Sequence, residues 1–198
     1  DLLPKGFESK LVAYASFFNP GQAAFSNGVQ ASLVEIDPRF GTVKLLKFQY
    51  LNGKLKLIAT SDYLEEGNGF GKAPSVSLVV LKNNGEMGWV IDSGYINQGY
   101  IFGGTSIYVV DAKTRVQKVL DVPVLASDCG RDEKCTSIES QLHTDRSEGL
   151  TNYLAIKAIV SVERNNKNTE RFEFKFEYDI KNGIYSVPKT YEAIFASF

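Results

Sequence analysis

From Phe172 to Ile180 every second residue is large and apolar: Phe172, Phe174, Phe176, Tyr178 and Ile180 alternate with Glu173, Lys175, Glu177 and Asp179. Successive side chains of a strand point to opposite faces, so this pattern predicts a strand with one buried and one wet face. Such strands belong to antiparallel sheets, where one face may meet water. Leu154, Ile156, Ala158, Val160 and Val162 form a second alternating run, and the polar stretch from Glu163 to Glu170 joins the two as a hairpin.

Three of the five Asn-Gly dipeptides fall between alternating runs, and each of the three predicts a two-residue hairpin turn with a register that the pattern can check. With Asn52-Gly53 as the turn, Tyr50 faces Leu55, Phe48 faces Leu57 and Leu46 faces Ala59, leaving Lys47, Gln49, Lys54 and Lys56 on the wet side. With Asn84-Gly85, Val80 faces Trp89 and Leu78 faces Ile91; with Asn182-Gly183, Ile180 faces Tyr185 and Tyr178 faces Val187. A one-residue slip would exchange the faces in each case.

Further strands are expected at about 29–36, 101–110, 115–122 and 137–144, with Asp37-Pro38 and Asp111-Ala-Lys as turn signals. Helix is confined to two contested segments, Phe7 to Phe18 and Thr190 to Phe198. No repeat is visible, because the Asn-Gly turns are unevenly spaced and their flanks do not recur. The expected fold is all-β, mainly antiparallel, a sandwich or barrel built from several hairpins with little helix. At 198 residues the chain is read as a single domain, 1–198, with two β subdomains divided near 126–152 as the alternative.

Composition narrows the function classes. Lys and Arg number 22 against 23 Asp and Glu, so the chain lacks the cationic excess of a non-specific nucleic-acid or anionic-membrane binder. No run approaches the length of an apolar membrane span, and the chain opens on Asp1 without a charged-then-apolar leader, as a processed or trimmed chain would. Neither nucleic acid nor a membrane span is expected.

Cys129 and Cys135 lie in Asp-Cys-Gly-Arg-Asp-Glu-Lys-Cys, a polar loop composition. Zinc needs three or four ligands and His143 is the single histidine, while the spacing is not the Cys-x-x-Cys of a redox pair. A disulfide closing a short loop is the expectation, and it implies an oxidising compartment. Without an Asn-x-Ser/Thr acceptor, that compartment is read as a bacterial periplasm or the secreted space. No metal and no cofactor are expected.

Catalytic motifs fail one by one. Gly67-Asn-Gly-Phe-Gly-Lys72 would need glycine at Glu66 and a hydroxyl residue at Ala73 to be a phosphate loop, and the acids of a calcium loop are missing around Leu64-Glu65-Glu66. His143 and Asp145 share a strand face and could form a base pair for hydrolysis, but no Gly-x-Ser-x-Gly elbow supplies a nucleophile. A pair of carboxylates could serve a glycosidase, and none is singled out by its local pattern.

Two segments have the character of contact surfaces. Between Gly88 and Tyr108, aromatics are interleaved with glycines; Tyr95, Asn97, Gln98 and Tyr100 lie nearest the connection and are the candidate recognition residues, while Trp89, Phe102 and Tyr108 are expected to fill the core. The cysteine loop offers Asp128, Arg131, Asp132 and Glu133 on a braced, protruding segment that would lose little entropy on docking. No motif identifies a family. The leading expectation is a non-enzymatic periplasmic or secreted binding protein with a protein partner, possessing the features of an inhibitor or immunity protein that blocks an enzyme. The alternatives are an envelope hydrolase using His143 with Asp145 or a carboxylate pair, and a structural envelope module. No feature of the sequence sets an oligomeric state.

Overall fold

A computed structural model describes residues 16–17, 30–37, 42–52, 54–65, 74–130, 135–145, 152–165 and 168–198. The chain divides into two compact units, Asp1–Val76 with Val109–Gln117 and Ser77–Tyr108 with Lys118–Phe198. Both are built from antiparallel strands, as the alternating sequence requires, and the described residues contain one short helix. The contested N-terminal helix is described only at Ser16–Phe17, which is strand.

The first unit holds a sheet in the order β1 (Ser16–Phe17), β2 (Gln30–Asp37), β3 (Thr42–Leu51) and β4 (Lys54–Thr60). Tyr50 faces Leu55 and Phe48 faces Leu57 as the Asn52-Gly53 turn predicts. Beyond them the register slips between Lys47 and Phe48, so Leu46 faces Thr60 and Lys47 faces Ala59. The bulge inserts a residue and re-aims the strand. Lys47, expected on the wet face, is therefore 4% exposed and lies within a buried run with Leu45, Leu46 and Phe48. Ser61 closes the same strand from beyond β4: its hydroxyl accepts the Leu45 N–H at 2.9 Å, and its N–H donates to the Leu45 carbonyl at 2.9 Å.

The second unit is organised by an eight-stranded sheet. In sheet order it runs β12 (Ile184–Ser186), β11 (Asn168–Asp179), β10 (Ala155–Arg164), β9 (Thr136–Asp145), β8 (Val116–Ser127), β7 (Tyr100–Val110), β6 (Met87–Asn97), β5 (Ser75–Val80). Consecutive strands are neighbours throughout, a meander of hairpins. The predicted 172–180 strand is the core of β11, and it pairs with β10 through Ile156↔Phe176, Ala158↔Phe174 and Val160↔Phe172. Both strands run further toward their connection than their apolar residues do, so the expected polar loop is mostly strand.

Two turns differ from expectation. At Asn84-Gly85 the Gly85 N–H donates to the Lys82 carbonyl at 2.9 Å, so the turn is centred on Asn83-Asn84, with Gly85 following at φ +84°. At Asn182-Gly183 the Gly183 N–H reaches the Asp179 carbonyl at 2.7 Å, and Tyr178 faces Tyr185 where Ile180 was expected to face it. The Asp179 carboxylate explains the longer loop, since it accepts the backbone N–H groups of Lys181 at 2.9 Å and Asn182 at 3.2 Å. The slip is two residues, so the faces are kept, but Ile180 leaves the strand and stands 71% exposed.

Trp89, Ile91, Ile138, Ile156, Val160 and Phe176 are buried on the face where α1 (Lys189–Ala196) packs. Tyr191 anchors that helix. Its ring meets Phe174 and Phe176 edge-on at 5.4 and 5.0 Å, and its hydroxyl donates to the Pro123 carbonyl at 2.6 Å.

Candidate binding surface

The β6–β7 connection is a two-residue turn. Asn97 pairs with Tyr100, and Gln98 and Gly99 occupy left-handed conformations at φ +51° and +87°. Positive φ at both central positions matches the twist of the flanking strands. Further along the same hairpin a Cβ on Gly94 would lie 2.6 Å from the Phe102 carbonyl oxygen, so Gly94 is required by backbone approach.

In register, Tyr95 stands opposite Phe102 on one sheet face. Their rings stack at 5.1 Å, Tyr100 stacks on Phe102 at 6.3 Å, and the C-terminal Phe198 meets Phe102 and Tyr100 edge-on at 5.8 and 6.2 Å. Phe102 therefore departs from the expected core role: it is half-buried and is the hub of a partly open aromatic cluster, while Trp89 and Tyr108 are buried as expected. Tyr95 remains 48% exposed, Ile96 on the opposite face 59%, and Asn97 and Gln98 are exposed; Tyr100 is half-buried against the cluster. Phe198 carried no signal in the sequence, because its role depends on where α1 leaves the chain end.

Cys129 and Cys135 are joined by a disulfide with a Cα separation of 4.8 Å. The loop base is held on both sides. The Asp128 N–H donates to the Thr136 carbonyl at 3.2 Å, and the Asp128 Oδ1 accepts the Thr136 N–H at 2.6 Å; the Cys135 carbonyl accepts the Asn165 N–H at 2.7 Å. Asp128, expected to face a partner, thus has one carboxylate oxygen committed to bracing the loop. Arg131, Asp132 and Glu133 lie outside the described residues.

The two candidate segments, separate in sequence, meet. A Cβ on Gly130 would fall 2.8 Å from the Gly99 carbonyl oxygen and 3.2 Å from its Cα, so the disulfide loop rests its backbone on the β6–β7 turn. One end of the sheet accordingly presents an aromatic cluster, a turn tip with exposed amides and a cross-linked loop, all backed by strands.

The alternative chemistry is less well furnished. His143 is exposed on β9 and faces Lys157 on β10, whose ammonium pairs with Glu173 at 2.7 Å, so a cation rather than a hydroxyl nucleophile stands opposite the imidazole. Lys157 holds the Glu173 carboxyl below its ordinary value. Among the described residues, the grouping of metal-type ligands is Asp128, Cys129 and Cys135, and its two sulfurs are bonded to each other. The glycine run Gly67 to Lys72 lies outside the described residues. Among those residues no helix is long and apolar enough to cross a membrane.

No family model, curated protein or solved structure is similar enough to the chain to inform its function. The functional reading therefore rests on the residues themselves.

Proposed function

We propose that this chain is a non-enzymatic binding protein of the bacterial periplasm or secreted space, which docks a protein partner through the sheet end formed by the β6–β7 turn and the Cys129–Cys135 loop. The observation that carries the reading is the backbone seat of Gly130 on Gly99, which fixes the loop beside the Tyr95, Tyr100 and Phe102 cluster. Large rings with polar tips give contact area at low entropic cost, and a loop already held by covalent and backbone contacts gives up little freedom on docking. A surface braced in this way suits docking on an enzyme, the role of an inhibitor or immunity protein. The disulfide is compatible with an oxidising compartment and supports that part of the reading.

The test uses the chain as bait on envelope and secreted fractions of its source organism, beside a Tyr95→Ala/Tyr100→Ala bait with an unchanged thermal transition. Capture of one enzyme, lost with the double variant, and inhibition of that enzyme by the purified chain are the expected results. Partner capture that ignores both this variant and Gly130→Val overturns the docking surface.

A further inference from the structure

The outer strand of the large sheet is left half covered. β12 pairs with β11 only at Glu177, Tyr178 and Asp179, so among the described residues no strand lies along the far edge of the nine residues 168–176. A long edge of this kind is a template for another strand. We propose that this edge pairs antiparallel with the same edge of a second copy, about a two-fold axis at Phe172, to make one continuous sheet across a homodimer.

The occupant is argued from charge. With the axis at Phe172, Arg171 of each copy stands directly opposite Glu173 of the other, and all nine residues of this stretch find a partner position. Moving the axis by one residue in either direction opposes like charges: Arg171 against Arg171, or Glu173 against Glu173 with Arg171 against Lys175. Moving it to Phe174 aligns Glu173 with Lys175 but drives the strand into the place that β12 already fills. One register alone uses the whole edge with unlike charges opposed, and directly opposed charges are the pairs that decide sheet register. Arg171 and Glu173 are both exposed; Glu173 already pairs with Lys157 of its own sheet at 2.7 Å, so Arg171 of a second copy would bring a second cation to that carboxylate, and Phe172, 37% exposed on the other face, would be covered by its own symmetry mate. A two-fold interface has this self-complementary form. Alternating charge also serves to block edge pairing, but a blocking edge has no need of a register in which its own charges match.

The register makes a specific test. Arg171→Glu carries acids at both positions, and Glu173→Arg carries bases at both, so neither variant can pair with itself while each complements the other. Sedimentation equilibrium of the full chain is expected to give a dimer for the wild type, association weakened roughly thirtyfold for each variant alone, and a restored dimer when the two are mixed in equal amounts. The recovery also establishes that both variants are folded. A monomeric wild type at millimolar concentration, dimers unaffected by either substitution, or a mixture that stays monomeric each overturns the proposal.

Discussion

At the scale of single residues, burial of tyrosine hydroxyls sets how the second unit responds to alkali. The Tyr191 phenol is pushed from its ordinary value near 10 up to about 12 by burial beneath the sheet, and burial shifts Tyr178 and Tyr185 upward as well. A phenol whose folded value is raised stabilises the fold fully below the unfolded value and loses that contribution as pH climbs through the folded one. Stability should therefore hold to about pH 10 and fall between there and about pH 12. A spectroscopic titration is expected to show tyrosinate forming in two stages, the exposed rings first and these three only as near-ultraviolet circular dichroism is lost. Single-stage titration near pH 10 would contradict it. Tyr191→Phe keeps the ring against Phe174 and Phe176 but leaves the Pro123 carbonyl without its donor, at a cost of about 1 kcal/mol in chemical denaturation.

At the scale of elements, the strands were legible because alternation is a local property, whereas turn geometry depends on side chains that alternation does not weigh. Tyr50 meets Leu55 as read from the sequence, but a bulge at Lys47 takes over two residues further on, and no hydropathy pattern announces an inserted residue. The Asn182-Gly183 loop is longer than a two-residue turn because Asp179 gathers the amides of Lys181 and Asn182, and Asn182 Nδ2 at 2.6 Å besides. An Asx-type contact of this sort is a known competitor of the tight turn. Those hydrogen bonds hold the Asp179 carboxyl below its ordinary value near 3.8. A lowered carboxyl supports the fold above its unfolded value and loses that support as pH falls through the folded one. Asp179→Ala should lower the melting temperature slightly at pH 7, and wild type and variant should converge as pH drops below about 3.8. Faster amide exchange at Lys181 and Asn182 in the variant locates the effect; an equal offset at every pH would place the role of Asp179 elsewhere.

At the scale of the whole molecule, the all-β antiparallel class and the disulfide were legible, but the meeting of the cysteine loop with the β6–β7 turn was not. That contact follows from strand order. β7 and β8 are neighbours, so the connection that leaves β8 falls at the same sheet end as the connection that enters β7, and Gly130 comes to rest on Gly99. Sequence could nominate Tyr95, Tyr100 and Asp128 separately; only the order of strands makes them one surface, and it gives Asp128 a bracing role there. The same architecture separates the disulfide's contribution to stability from its contribution to shape. The bond closes a loop with a sequence separation of 6, a span too short for a large entropic effect. Cys129→Ala/Cys135→Ala should therefore lose only about 2 kcal/mol in denaturant unfolding, with far-ultraviolet circular dichroism unchanged because every strand pairing persists. Binding is expected to suffer far more than folding, since the loop then relies on hydrogen bonds at its base, among them those of Asp128 with Thr136 and of Asn165 with Cys135, to keep it on the turn. A variant as stable and as tightly bound as the wild type would mean that those backbone contacts alone shape the loop, and that the covalent bond is dispensable for docking.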